Sequence, residues 1–144
     1  MDTSKVQSVL VQMIKIDKKQ ILIILLWAYA FHSAIVAIGL LIIQPSYMEL
    51  FGLPDYHGKF FQMQGGVFHF VMSMVYIYAL KKFESIHSLI QLVIMIKLIA
   101  TVFLIIYYNY IESAWVVLAS AAGDGSMALV LLLVYIKWKK SITI

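Results

Sequence analysis

Residues 21–43 read ILIILLWAYAFHSAIVAIGLLII, 23 positions without a charged side chain. At about 1.5 Å of rise per residue, a helix of this length crosses the ~30 Å hydrocarbon core of a bilayer. Pro45, just beyond the run, gives it a stopping point. The run is too long for the ~7–15-residue apolar core of a secretory signal and shows no small-x-small cleavage site at its end, so it predicts a retained span. Lipidation motifs are missing too, with Asp2 at the second position and no cysteine in the chain.

Three more apolar runs follow. Residues 61–80 are the least pure, holding Gln62, Gln64, Gly65, Gly66, His69 and Ser73, and are closed by Lys81 and Lys82. Residues 89–108 contain one charge, Lys97, and residues 113–136 contain one, Asp124, before a basic tail over 137–144. A helix facing water needs a polar stripe every three to four residues, and long stretches of these runs offer none. The 144 residues are 63% apolar and only 12% charged, about half the charged share of an average soluble domain. The expected fold is an all-α, integral membrane four-helix bundle in antiparallel up-down-up-down order, spanning residues 21–136. Small residues, among them Gly39, Gly65, Gly66, Ala121 and Gly123, suit close helix contacts within it.

Orientation follows from the lysines. Lys5, Lys15, Lys18, Lys19, Lys81, Lys82, Lys137, Lys139 and Lys140 are nine of the eleven basic residues, and four spans put them all on one side. The positive-inside rule makes that side cytoplasmic, with both termini there. The net charge of +4 therefore reads as membrane-flanking charge, not as a nucleic-acid surface. Residues 1–20 form a separate segment. Val6, Val9, Leu10, Met13 and Ile14 recur at helical spacing, which predicts an amphipathic helix on the cytoplasmic membrane surface. The longest outer connection, residues 44–60, is rich in tyrosine and phenylalanine suited to the headgroup zone, with a short interfacial helix expected near Tyr47–Phe51.

Counting from the lysine-rich end of each span gives the depth of its ionisable residue. His32 and His69 are each eleven residues in, Lys97 eight and Asp124 twelve, or roughly 12–18 Å. Each helix thus contributes one such side chain to a layer near the bilayer middle. A charge at that depth costs several kcal/mol unless it is paired or hydrated, which turns these side chains inward and makes Lys97 and Asp124 natural partners. Tyr29, Ser73, Tyr76, Thr101 and Ser120 fall within reach as further hydrogen-bonding groups. The layer suits either a buried polar cluster that specifies packing or a ligand site. Without cysteine, thiolate metal sites and iron–sulfur clusters are excluded. The chain has no H-E-x-x-H, G-x-S-x-G, Walker or dinucleotide motif, so no catalytic residue is singled out and no metal site is expected. An enzyme acting on a lipid-soluble substrate stays open.

The segments GLLIIQPSYMELFGLP at 39–54, Gln64-Gly65-Gly66, and GDGSMALVLLLVYIK at 123–137 resemble the DoxX-like and BphX-like group of small four-span bacterial membrane proteins. The likeness in layout runs from about residue 25 to 137. It implies an accessory protein of the bacterial cytoplasmic (inner) membrane, some of whose relatives associate with respiratory or thiosulfate–quinone oxidoreductases. Where the family often carries an arginine near the start of the second span, this chain has Gln64, which weakens any transfer of a buried ion-pair mechanism to that helix. Three functions compete. The leading one is an accessory or lipid- or quinone-binding protein, its pocket set among Tyr29, Met63, Phe68, Met72, Tyr76 and Met127. The second is an electron-transfer subunit with a b-type haem between His32 and His69, since histidines are competent axial ligands. The third is proton or ion transport, because ionisable residues at bilayer depth also mark such routes. Partners in these readings are membrane lipids, a lipid-soluble molecule in the bundle, a second copy of the chain, or a respiratory complex.

Overall fold

The structure is a computed structural model that describes residues 17–54, 56, 58–82 and 86–142. The amphipathic segment expected over 1–20 lies outside the described residues up to position 16.

Four helices long and apolar enough to cross a membrane make up the described chain. They are α1 (Lys18–Ile42), α2 (Lys59–Lys81), α3 (Ile86–Tyr110) and α4 (Trp115–Ile142). Each reaches beyond the apolar run that nucleates it on at least one side, because a helix continues through the headgroup zone for as long as its ends are satisfied. At the start of α1, Asp17 accepts from the Lys19 amide while its own amide donates to the Gln20 side chain. This capping box satisfies two end groups reciprocally. At the far end Gln44 is extended ahead of Pro45, as the ring of a following proline requires.

The outer connection contains a 3₁₀ helix, Pro45–Phe51, where the sequence suggested a short interfacial helix. It ends at Gly52, whose φ of 82° lies in the left-handed region. A Cβ there would also stand 3.0 Å from the Trp115 ring and 3.2 Å from its backbone nitrogen. Only glycine meets both demands. The Trp115 indole N–H donates to the Leu50 carbonyl at 3.1 Å, which ties the connection to the start of α4.

Two antiparallel hairpins result, α1 with α2 and α3 with α4, each packed more closely within itself than against the other. In the first, the Ser73 hydroxyl donates to the Ala30 carbonyl, and the Gln62 amide donates to the carbonyls of Leu40 and Ile43. Gln62 thereby serves the last turn of α1, whose carbonyls have no partner within the helix. Gly66 lets the two backbones approach: a Cβ there would meet the Ala37 carbonyl oxygen at 3.2 Å and Leu41 at 3.0 Å. Between hairpins, α1 lies along α4, whereas α2 and α3 touch far less.

The packed core sits in the lysine-rich half. Leu22, Leu26, Tyr76, Ile90, Val93 and Leu131 are completely buried there. The outer faces carry large apolar side chains that point away from the bundle, such as Ile35, 69% exposed, and Phe103, 59% exposed. Such a surface is stable in hydrocarbon and not in water. The chain has integral-membrane character.

Candidate functional site

Above the packed half, the hairpins diverge around the polar layer. Lys97 on α3 is 4% exposed, and its ammonium donates to the Asp124 carboxylate on α4. The pair is largely buried and joins consecutive helices at the depth read from the sequence. Close backbone approach beside it is set by Gly125, where a Cβ would come within 3.2 Å of the Thr101 methyl. The Gly123-Asp124-Gly125 segment stays helical throughout, so its glycines serve packing and space rather than a turn.

Two cavities flank the ion pair. One, of about 350 Å³, is lined by residues of all four helices, with His32, His69, Ser120 and Asp124 as its polar members. Val36, Leu104, Ala119 and Gly123 complete its wall. Gly123 leaves real space, since nothing lies within 4 Å of where its Cβ would be. The second, of about 310 Å³, opens between α2 and α3 and is lined chiefly by apolar groups, including Phe68, Met72 and Phe103. His69, Leu104 and Asp124 belong to both. Volumes near ~300 Å³ lie at the small end of the range for small-molecule sites.

The residues singled out in the sequence divide into two groups. His32, His69, Ser120 and Asp124 face the larger cavity, with Lys97 behind Asp124 and on the wall of the second. Tyr29, Ser73 and Tyr76 belong to the packed half instead. The Tyr29 hydroxyl donates to the Met127 carbonyl at 2.8 Å, joining α1 to α4, and its ring meets Tyr76 edge-on at 6.0 Å. Thr101 returns its hydroxyl to the Lys97 carbonyl one turn back, at 2.8 Å, and so is spent within its own helix. The buried Nδ1 of His69 has no hydrogen-bond partner among the described residues. The buried hydroxyls of Ser33 and Tyr76 sit side by side.

Sequence reading noted Gln62 only as a polar interruption and gave it no role. It also missed the cluster at the lysine-rich end, where the His87 ring stacks on Trp138 at 4.8 Å and its Nδ1 lies 3.3 Å from the Tyr135 hydroxyl. Aromatic residues one turn apart at the end of the fourth run, Tyr135 and Trp138, were the available signal.

The site can do limited but specific chemistry. The charges of Lys97 and Asp124 offset each other within the ion pair. Each neutral histidine offers one donor and one acceptor, Ser120 offers both, and the Asp124 carboxylate keeps acceptor capacity beyond its ion pair. Among the described residues, no three His, Cys, Asp or Glu side chains converge as a metal site. Comparison of the chain with family models, curated proteins and solved structures yields no match.

Proposed function

We propose that the protein binds a neutral, lipid-soluble molecule with a compact polar head, of the isoprenoid-quinone class, in the cavity beside the Lys97–Asp124 pair. The observation that carries this reading is the convergence of both cavities on His69, Leu104 and Asp124. A mostly apolar pocket with a few convergent polar groups is the usual form of a small-molecule site. The offset charges of the ion pair favour an uncharged guest over an ion. The histidines and Ser120 can donate to quinone carbonyls, while Asp124 and the histidine acceptors can receive quinol hydroxyls, so either redox form finds partners. An ion route is less well supported, because the lysine-rich half is sealed by fully buried apolar side chains. The role would be an accessory one in a bacterial cytoplasmic membrane, in line with the DoxX-like resemblance.

The test is retention. Protein purified in mild detergent and extracted for mass spectrometry should carry quinone above its ratio in the bulk membrane, and adding decyl-benzoquinone should raise the melting temperature. Quinone at the bulk ratio together with an unchanged melting temperature would remove the proposal.

A further inference from the structure

We infer that the guest lies across the bundle in the membrane plane, with its head among His32, His69 and Ser120 and its tail leaving through the seam between α2 and α3. The inference rests on the binding reading above and assigns the second cavity as the tail subsite.

The linings of the two cavities and the packing around them lead there. The second cavity shares His69, Leu104 and Asp124 with the first, so a molecule anchored at His69 has its continuation beside it. Its lining of Gly65, Phe68, Met72, Ala100 and Phe103 suits a hydrocarbon chain, and methionine adapts readily to an irregular one. Helices α2 and α3 are the least packed neighbours in the bundle. Phe68 and Phe103, 51% and 59% exposed, flank the mouth where it faces the bilayer interior. The first cavity carries the polar groups, which a tail would leave unpaired at a cost.

Such a passage makes physical sense for a lipid-soluble guest. A tail moving from lipid to an apolar groove gains almost nothing from the hydrophobic effect, because both surroundings are hydrocarbon. Recognition therefore falls to the head, and the groove need only let the tail remain in the bilayer. The molecule can then enter sideways without its tail crossing the headgroup layer.

The experiment is photolabelling of the full chain in lipid nanodiscs with a benzoquinone that bears a diazirine at the end of a decyl tail. Unlabelled decyl-benzoquinone serves as competitor, and labelled peptides are mapped by mass spectrometry. The expected result is competitor-sensitive labelling of α2 and α3 around Phe68, Met72 and Phe103. Ala100→Trp, which fills the groove, is expected to lose that labelling, whereas Leu98→Trp on the lipid face should keep it. Competitor-sensitive labelling around Val36 and Ala119 instead would overturn the tail assignment and leave the binding reading standing. Labelling of all lipid-facing positions alike, insensitive to competitor, would overturn both. Mapping on the unsubstituted protein decides the matter even where Ala100→Trp fails to fold.

Discussion

Lys97 carries a full charge at a depth where hydrocarbon surrounds the helix, and Asp124 is what makes this tolerable. The strength of the pair lies less in its attraction than in the cost of breaking it. Removing one partner leaves an uncompensated charge in a largely buried site, typically about 3–5 kcal/mol, whereas removing both leaves none. Lys97→Met and Asp124→Asn should each lower the melting temperature in detergent, and the double variant should be less destabilised than the two effects added. Thermal unfolding of the four proteins checks this, and additive losses would mean that the side chains are not coupled. His69 presents the opposite case. Its buried Nδ1 makes no hydrogen bond that a substitution could remove. His69→Leu should therefore leave the melting temperature of the ligand-free protein unchanged or raised, yet abolish stabilisation by decyl-benzoquinone. A substitution that instead lowered the ligand-free stability by several degrees would make His69 a packing residue.

At the scale of the helices, the first hairpin owes its closeness to two residues one turn apart on α2. Gln62 donates to two carbonyls at the end of α1. Its own carbonyl oxygen is buried without a partner. Gln62→Leu loses both hydrogen bonds and strands the acceptors, but also removes that unsatisfied oxygen. The net cost should thus fall near the low end of the ~1–3 kcal/mol expected for stranded buried groups. Denaturation in a mixed-detergent series would measure it, with unchanged stability showing that lipid or water serves those carbonyls equally well. Gly66→Ala should be at least as harmful, since the Ala37 carbonyl it would press on is backbone and cannot swing aside. Its effect should appear as looser α1–α2 packing, read by faster amide exchange around Leu40 and Gln62. The helices of the second hairpin meet at Gly125 and the ion pair, so the two hairpins are fastened by different chemistry.

For the molecule as a whole, packing is uneven from one end to the other. The lysine-rich half holds the buried apolar core, and the two cavities beside the ion pair lie between it and the connection pinned by Trp115. The distribution of lysines leads one to expect the core half on the cytoplasmic side. A fluorescent protein that folds only in the cytosol should therefore be bright when fused after residue 144. A phosphatase active only outside the cytosol should work when inserted after Pro54. The reverse pattern would turn the protein over in the membrane and leave the cavities near its middle. It would not alter the sideways path proposed for the guest, because that path runs between helices rather than through an end.

Much of this architecture is legible in the residues alone. Uninterrupted apolar runs such as 21–43 dictate spanning helices, because backbone groups in hydrocarbon must be satisfied within the segment. A fixed rise per residue converts sequence position into depth, which is why the pairing of Lys97 with Asp124 could be read before any fold was known. Depth, however, says nothing of which way around the bundle a side chain points. Tyr29, Ser73 and Tyr76 lay on the faces of the histidines in sequence but belong to the packed half, where the Tyr29 and Ser73 hydroxyls tie helix to helix. Gln62 looked like a blemish in a span and acts as the closing contact of another helix's last turn. The cavities, the freedom of His69 Nδ1 and the open seam between α2 and α3 arise from how two hairpins lean on each other. That contact is set by a few small residues and by side-chain shapes from different helices at once. No single run of sequence contains it, so only the tertiary structure could decide it.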